Sequence, residues 1–317
     1  MKSSNIGGQA VLEGIMMRNG GKYSVAVRKT DGEIALDVQD YKSVLPWQAP
    51  LKIPFIRGIF NFVDSLVLGM KTLMFSASFF EDEEEVVLTK EEAKKQERNE
   101  KIIMDLTVVV SVIFAIALFM VLPYFLSNIV KKYTDSRMLM TVFEGVIRLV
   151  IFLIYIFLIS RTKDIKRTFM YHGAEHKCIN CIEHGLELNV ENVRKSSRQH
   201  KRCGTSFLFL VMLVSICLHF VFVLVPIYWV RLFGRLLMVP IVSGISFEMI
   251  QWAGRTDSKF ADIMSKPGLA MQKLTTKEPT EDMVEVAIKA VEAVFDWKAY
   301  LKTEFGWEPE EENNADI

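Results

Sequence analysis

The sequence predicts a mainly α, polytopic membrane protein with four transmembrane helices in two hairpins, plus a cytoplasmic layer containing a small N-terminal β element. Three observations predict it. Only 24% of the 317 residues are charged, and long stretches with almost no charge alternate with strongly charged ones. Two separate regions each supply a pair of apolar segments of the roughly 20 residues that a helix needs to cross a core of about 30 Å. Near the N-terminus, apolar and polar residues alternate on both sides of Asp31-Gly32, which is a hairpin signal. The 38 Lys and Arg balance the 38 Asp and Glu, so no global field draws the chain to nucleic acid.

The elements follow in order. Residues 1–54 are expected to form a cytoplasmic segment with the β-hairpin, Tyr23 to Arg28 pairing with Glu33 to Val38. No apolar core of signal-peptide length follows Met1-Lys2, so no leader is expected to be cleaved and insertion relies on internal segments. Residues 55–80 are apolar but carry Arg57, Asn61, Asp64 and Lys71, too polar for an isolated span. They read as an interfacial or re-entrant amphipathic segment. Residues 81–101 read as a charged linker, opening on the acidic run Glu81 to Glu85.

The first transmembrane hairpin is expected at 102–160, with spans at Ile102 to Leu126 and Met138 to Ser160. Glu144 and Arg148 lie four apart on one face of the second span. The second hairpin is expected at 206–253, with spans at Ser206 to Trp229 and Leu232 to Ala253, Glu248 lying near the far end. Ionisable groups in a span face a partner or a water-filled path, and for Glu144, Arg148 and Glu248 a structural ion pair is favoured over a transport pathway. The connection at 161–205 carries ten Lys and Arg, far more than either hairpin turn, where Lys131, Lys132, Arg137, Arg231 and Arg235 lie. This places it, and both termini, on the cytoplasmic side of the cell membrane. Residues 254–317 are expected to be a cytoplasmic helical segment in which Thr280 caps a helix with Met283, Val284, Ala287 and Val291 on one face, ending in a disordered acidic tail.

Chemistry concentrates in the 161–205 connection, which holds four of the five histidines and three of the four cysteines. Tyr171-His172-Gly173-Ala174-Glu175-His176 contains the order H-x-x-E-H. On a helix, His172 and His176 share a face and can share a metal, while Glu175 can act as general base on a bound water. The alternative is a helix whose histidines satisfy backbone or carboxylate partners. Before the third span, His200-Lys201-Arg202-Cys203 places Cys203 at a helix N-terminus, where a thiolate is favoured. Its alternative is a small filler beside a cap at Thr205 or Ser206. Together His172, His176, His200 and Cys203 make a candidate zinc site, structural if all four bind and catalytic if three bind with an open position. Cys178 and Cys181 form a weaker pair, His184 reads as a surface residue and His219 as facing lipid or bundle. The scattered cysteines do not make a disulfide framework and suit a reducing compartment.

Four segments carry a resemblance over nearly the whole chain. They are Ile6-Gly-Gly-Gln-Ala-Val-Leu-Glu13-Gly-Ile-Met-Met-Arg18, Tyr171 to Lys177, His200-Lys-Arg-Cys-Gly-Thr-Ser-Phe207, and Pro267-Gly-Leu-Ala-Met-Gln-Lys-Leu-Thr-Thr-Lys-Glu-Pro279. In these the chain resembles the YqhQ family, bacterial multi-pass membrane proteins of unknown function labelled as predicted metal-dependent enzymes. The family's usual His-Pro-Arg-Cys appears here as His200-Lys201-Arg202-Cys203, which keeps the candidate ligands and loses a rigid proline. The resemblance implies the multi-pass architecture and a metal. The Gly7-Gly8 to Arg18 segment is expected to pack against the metal site, with Glu13 as an extra ligand or a partner.

Two functional classes stand. One is a membrane-embedded scaffold or regulator of other membrane proteins, with a zinc site at its cytoplasmic face. The alternative is a zinc-dependent hydrolase at that face, with Glu175 activating water and a peptide or a membrane-derived ester as substrate. A transporter comes third, resting on Glu144, Arg148 and Glu248. The partners implied are membrane lipids and, for a scaffold, other membrane proteins, with no nucleic acid.

Overall fold

The computed structural model describes residues 2–44, 53–80, 90–130, 133–221, 225, 227–256 and 258–308. The acidic run at 81–85, the turn lysines at 131 and 132 and the tail from 309 lie outside them. The chain divides into two compact units. One comprises Met1–Phe80, Ile159–Val211 and Pro240–Ile317, the other Glu81–Leu158 and Met212–Val239.

In the first unit, β1 (Gly7–Val11), β2 (Gly14–Asn19), β3 (Lys22–Arg28) and β4 (Ile34–Asp40) form an antiparallel meander in that order. The β3–β4 hairpin closes at Asp31-Gly32 with Gly32 at φ +86°, a conformation that costs glycine nothing. The sheet is larger than the hairpin expected, because β1 and β2 precede it. Neither shows a period of two. Along β2, Ile15 and Met17 face one apolar cluster and Met16 faces another, so side chains on both faces are buried and the alternation disappears.

One face of the sheet packs on α5 (Lys163–Glu183) and α11 (Glu281–Glu292), whose Met283, Val284, Ala287 and Val291 join Tyr171, Ala174, Cys178 and Ile182 of α5 in the core. Thr280 occupies the N-cap position of α11, but its side chain makes no capping bond. The other face receives α1 (Ile56–Ala77) through Leu68, which packs with Val11, Met16, Val25 and Val27. The same unit holds α6 (Val190–Lys195), α10 (Lys259–Thr275) and α12 (Trp297–Phe305). The 161–205 connection is thus folded, not a loop.

Among the described residues, three helices are long and apolar enough to cross a membrane: Ile56–Ala77, Ile102–Val130 and Met138–Ile159. The second of these continues from α2 (Lys90–Ile116) through a π-helical turn at Ala117–Val121 into α3 (Leu122–Val130), and the third lies in α4 (Arg137–Ile159). Three of the polar residues of α1 that counted against a span, Arg57, Asp64 and Lys71, have side-chain partners. Asp64 accepts from Tyr41, Ser43 and the Val44 amide, Lys71 donates to Tyr23 and Gln39, and Arg57 pairs with Glu248. The second expected hairpin appears as α7 (Gly204–His219), α8 (Tyr228–Leu237) and α9 (Val239–Arg255), each shorter than about 20 residues.

In the second unit, Pro123 lacks the amide that would bond the Phe119 carbonyl in an α-helix, and Arg148 Nε donates to that carbonyl at 2.9 Å. The Arg148 guanidinium also donates to Glu144 at 2.9 Å and lies 3.1 Å from His219 Nδ1 and 3.4 Å from Ser215 Oγ. Gly145 allows α4 to approach α7, since a Cβ there would come within 2.8 Å of Ile216.

Candidate metal centre

The two faces of α5 divide the work. Tyr171, Ala174, Cys178 and Ile182 recur at helical spacing and enter the core, which turns His172, Glu175 and His176 toward the residues that precede α7. Gly173, a spacer of the motif, is small for a reason. A Cβ at Gly173 would strike the Lys277 carbonyl, and the close approach of the segment after α10 is held by the Lys277 amide donating to the Phe169 carbonyl. It brings Thr275 beside His172.

His172, His176 and Cys203 offer ligand atoms that all lie within 4.8 Å of one another. His172 Nε2 is 3.3 Å from Cys203 Sγ, and the two imidazole rings have centroids 4.4 Å apart. The Nδ1 atom of each histidine faces a backbone carbonyl, that of Thr275 at 2.9 Å and that of Arg198 at 2.7 Å. A carbonyl only accepts, so both Nδ1 atoms carry the proton and both Nε2 atoms are the ones presented to the cluster. Orientation of ligand histidines by such outer bonds is the usual arrangement at metal sites. Cys203 directly precedes α7, and its carbonyl accepts the Phe207 amide as the first bond of that helix. Its sulfur also contacts Thr205 Oγ1 at 3.2 Å.

Electrostatics agree with the geometry. Burial alone would push the Cys203 thiol up, but the neighbouring His172 and His176 rings outweigh it and hold it well below the usual thiol range. Burial likewise works against a charged His172, yet Cys203 and Glu175 raise it to about 9. Glu175 is pushed up by burial, against the opposing pull of both histidines and the Gly8 amide. Its Oε2 is buried without a hydrogen-bond partner. An orphaned carboxylate oxygen beside two imidazoles and a thiolate fits a group that is itself positive or a proton donor.

His200 does not join the cluster. It is not among the residues whose ligand atoms lie within 4.8 Å of one another, and its Nε2 donates to the Glu183 carboxylate at 3.2 Å. Glu183 also receives Arg202 and the Ser4 amide and hydroxyl. Glu13 is taken by Arg167 and by Tyr171 Oη, not by the cluster. It is the turn residue between β1 and β2 and holds φ +48°, unusual for a residue other than glycine. Glu144 with Arg148 and Glu248 with Arg57 form separate ion pairs. Cys178 and Cys181 are free thiols buried in the core, both pushed up by burial. His184 Nδ1 bonds the Asn180 carbonyl within the same helix end.

The sequence placed the Gly7-Gly8 segment against the site without a reason for either glycine, and missed Glu183. A Cβ at Gly8 would meet the Met16 carbonyl at 2.7 Å, Met17 Sδ at 2.8 Å and Glu175 Cδ at 3.0 Å, so β1 runs directly over the Glu175 carboxyl. The paired Gly7-Gly8 was the available signal. Glu183 had none, because it lies at the end of α5 with no motif around it.

The model of a family described as protein of unknown function (DUF1385) matches residues 53–297. The chain is 37% identical over 289 residues to the uncharacterized protein YqhQ of Bacillus subtilis (strain 168), covering 90% of each chain. No solved structure matches.

Proposed function

The chain belongs to the DUF1385 family, and from that premise and the cluster we propose a membrane-embedded, zinc-dependent hydrolase acting at the cytoplasmic membrane face. One observation carries the reading. Three ligand atoms lie within 4.8 Å of one another beside a buried Glu175 oxygen that has no hydrogen-bond partner. Three protein ligands leave a tetrahedral ion one open position, the pattern of catalytic sites, and an imidazole and thiolate set suits zinc over magnesium or calcium. Zinc, when bound, supplies Lewis-acid polarisation of a carbonyl or ester oxygen. The Thr275 and Arg198 carbonyls hold the two imidazoles in the ligating tautomer, and Oε2 of Glu175 takes the proton of the attacking water and returns it to the leaving group. The substrate class is a peptide or a membrane-derived ester.

A second reading, a scaffold or regulator of membrane proteins stapled by structural zinc, draws support from burial, with His176 and Cys203 only 1% and 4% exposed. Glu175→Gln separates the two. The hydrolase should keep its zinc and fold and lose complementation of a deletion strain. Full complementation with normal zinc would leave the scaffold.

The architecture proposed has four spans, from 102–130, 138–159 and the α7 to α9 region, with both termini cytoplasmic. Its support is the ten basic residues of the 161–205 connection. A cysteine replacing Arg194 should be closed to an impermeant thiol reagent in intact cells, and labelling there would overturn the orientation.

A further inference from the structure

Helix α1 carries two unlike faces. Toward the sheet it presents small and polar groups: Ser76 Oγ accepts the Leu12 amide at 3.1 Å, Gly69 lies against Gln9, and Asp64 and Lys71 hold Tyr41, Ser43, Tyr23 and Gln39. Away from the sheet it presents Val63, Leu66, Val67, Met70, Leu73 and Met74, between 38% and 57% exposed. Their spacing of three and four places them on one stripe. This inverts the pattern of a water-facing helix, which buries its apolar side.

Length and composition admit α1 as a span, but its contacts do not. Asp64, Gly69 and Lys71 occupy its middle turns, so a spanning α1 would carry its sheet partners to the bilayer centre. The sheet ends at β4, whose outer edge has no neighbouring strand among the described residues. Unpaired strand edges and charged turns do not enter hydrocarbon. The chain is nonetheless held at a membrane by the apolar helices that follow it.

We propose that α1 lies in the plane of the membrane interface, with lipid acyl chains covering the Val63 to Met74 stripe and the sheet seated on its opposite side. Strand β1 then links the bilayer to the candidate metal centre within two residues, since Gln9 abuts Gly69 and Gly8 abuts Glu175. The proposal needs no metal at that centre.

The test is spin-label depth measurement on the full chain in lipid nanodiscs, with single cysteines replacing each of the six stripe residues in a Cys217→Ser background. The other three cysteines are buried. Collision with oxygen and with a water-soluble nickel chelate should place all six labels at one shallow depth, about 5–10 Å below the headgroup boundary. A steady change of about 16 Å in depth from position 63 to 74, set by the helical rise, would mean that α1 crosses, and would overturn the proposal. Labels open to the nickel chelate as in water, or immobile and closed to both reagents as under a second protein, would overturn it equally.

Discussion

His200 Nε2 donates to Glu183 Oε2 across 3.2 Å at the end of α5, while the ligand atoms that converge within 4.8 Å are those of His172, His176 and Cys203. His200→Gln should therefore keep stoichiometric zinc. Alanine at His172, His176 or Cys203 should abolish it, a larger effect than the roughly 10- to 100-fold loss expected when only an outer hydrogen-bond partner changes. Elemental analysis of the purified variants decides it, and loss of zinc in His200→Gln would return that residue to the site.

Glu183 supplies a pH dependence. Burial pushes its carboxyl up, but His200, Arg202 and the Ser4 amide outweigh this and hold it at about 2. A carboxylate depressed below its unfolded value stabilises the fold above that value, and the contribution disappears as pH falls from about 5 toward 2. The shift corresponds to a few kcal/mol, on the order of 3. Urea unfolding of the solubilised chain should show that loss, and Glu183→Gln should be less stable at neutral pH and flatter over the same window.

Gly8→Ala should strain the roof of the site, because its Cβ meets the Met16 carbonyl and Glu175 together. Overpacking of this kind costs about 1–3 kcal/mol. Denaturation and complementation should both fall. A Gly7→Ala control should leave them unchanged, since nothing lies within 4 Å of a Cβ there.

Arg148 is a lock between helices, and removing one member of a buried pair is costlier than removing both. Arg148→Met should destabilise the chain by about 3–5 kcal/mol, while Glu144→Gln with Arg148→Met should recover much of it. Thermal stability in detergent measures the difference. Equal losses in the single and double variants would show that Glu144 is not the essential partner.

The sequence by itself determined whatever depends on local pattern. The apolar runs at 102–130 and 138–159 are long enough to cross a bilayer however they pack, and Asp31-Gly32 makes a hairpin because a positive φ is cheap only at glycine. His172 and His176 share a face because a helix repeats every 3.6 residues. Tertiary structure alone decided the rest. β1 and β2 escaped detection because both faces of the sheet are covered, which erases alternation. His200 and Cys203 are three residues apart, and no spacing rule separates them. One meets Glu183 from the end of α5 and the other meets His172 from its middle, because the chain between them turns from the core toward α7. A ligand set is a matter of which lone pairs converge, and convergence depends on contacts between residues distant in sequence.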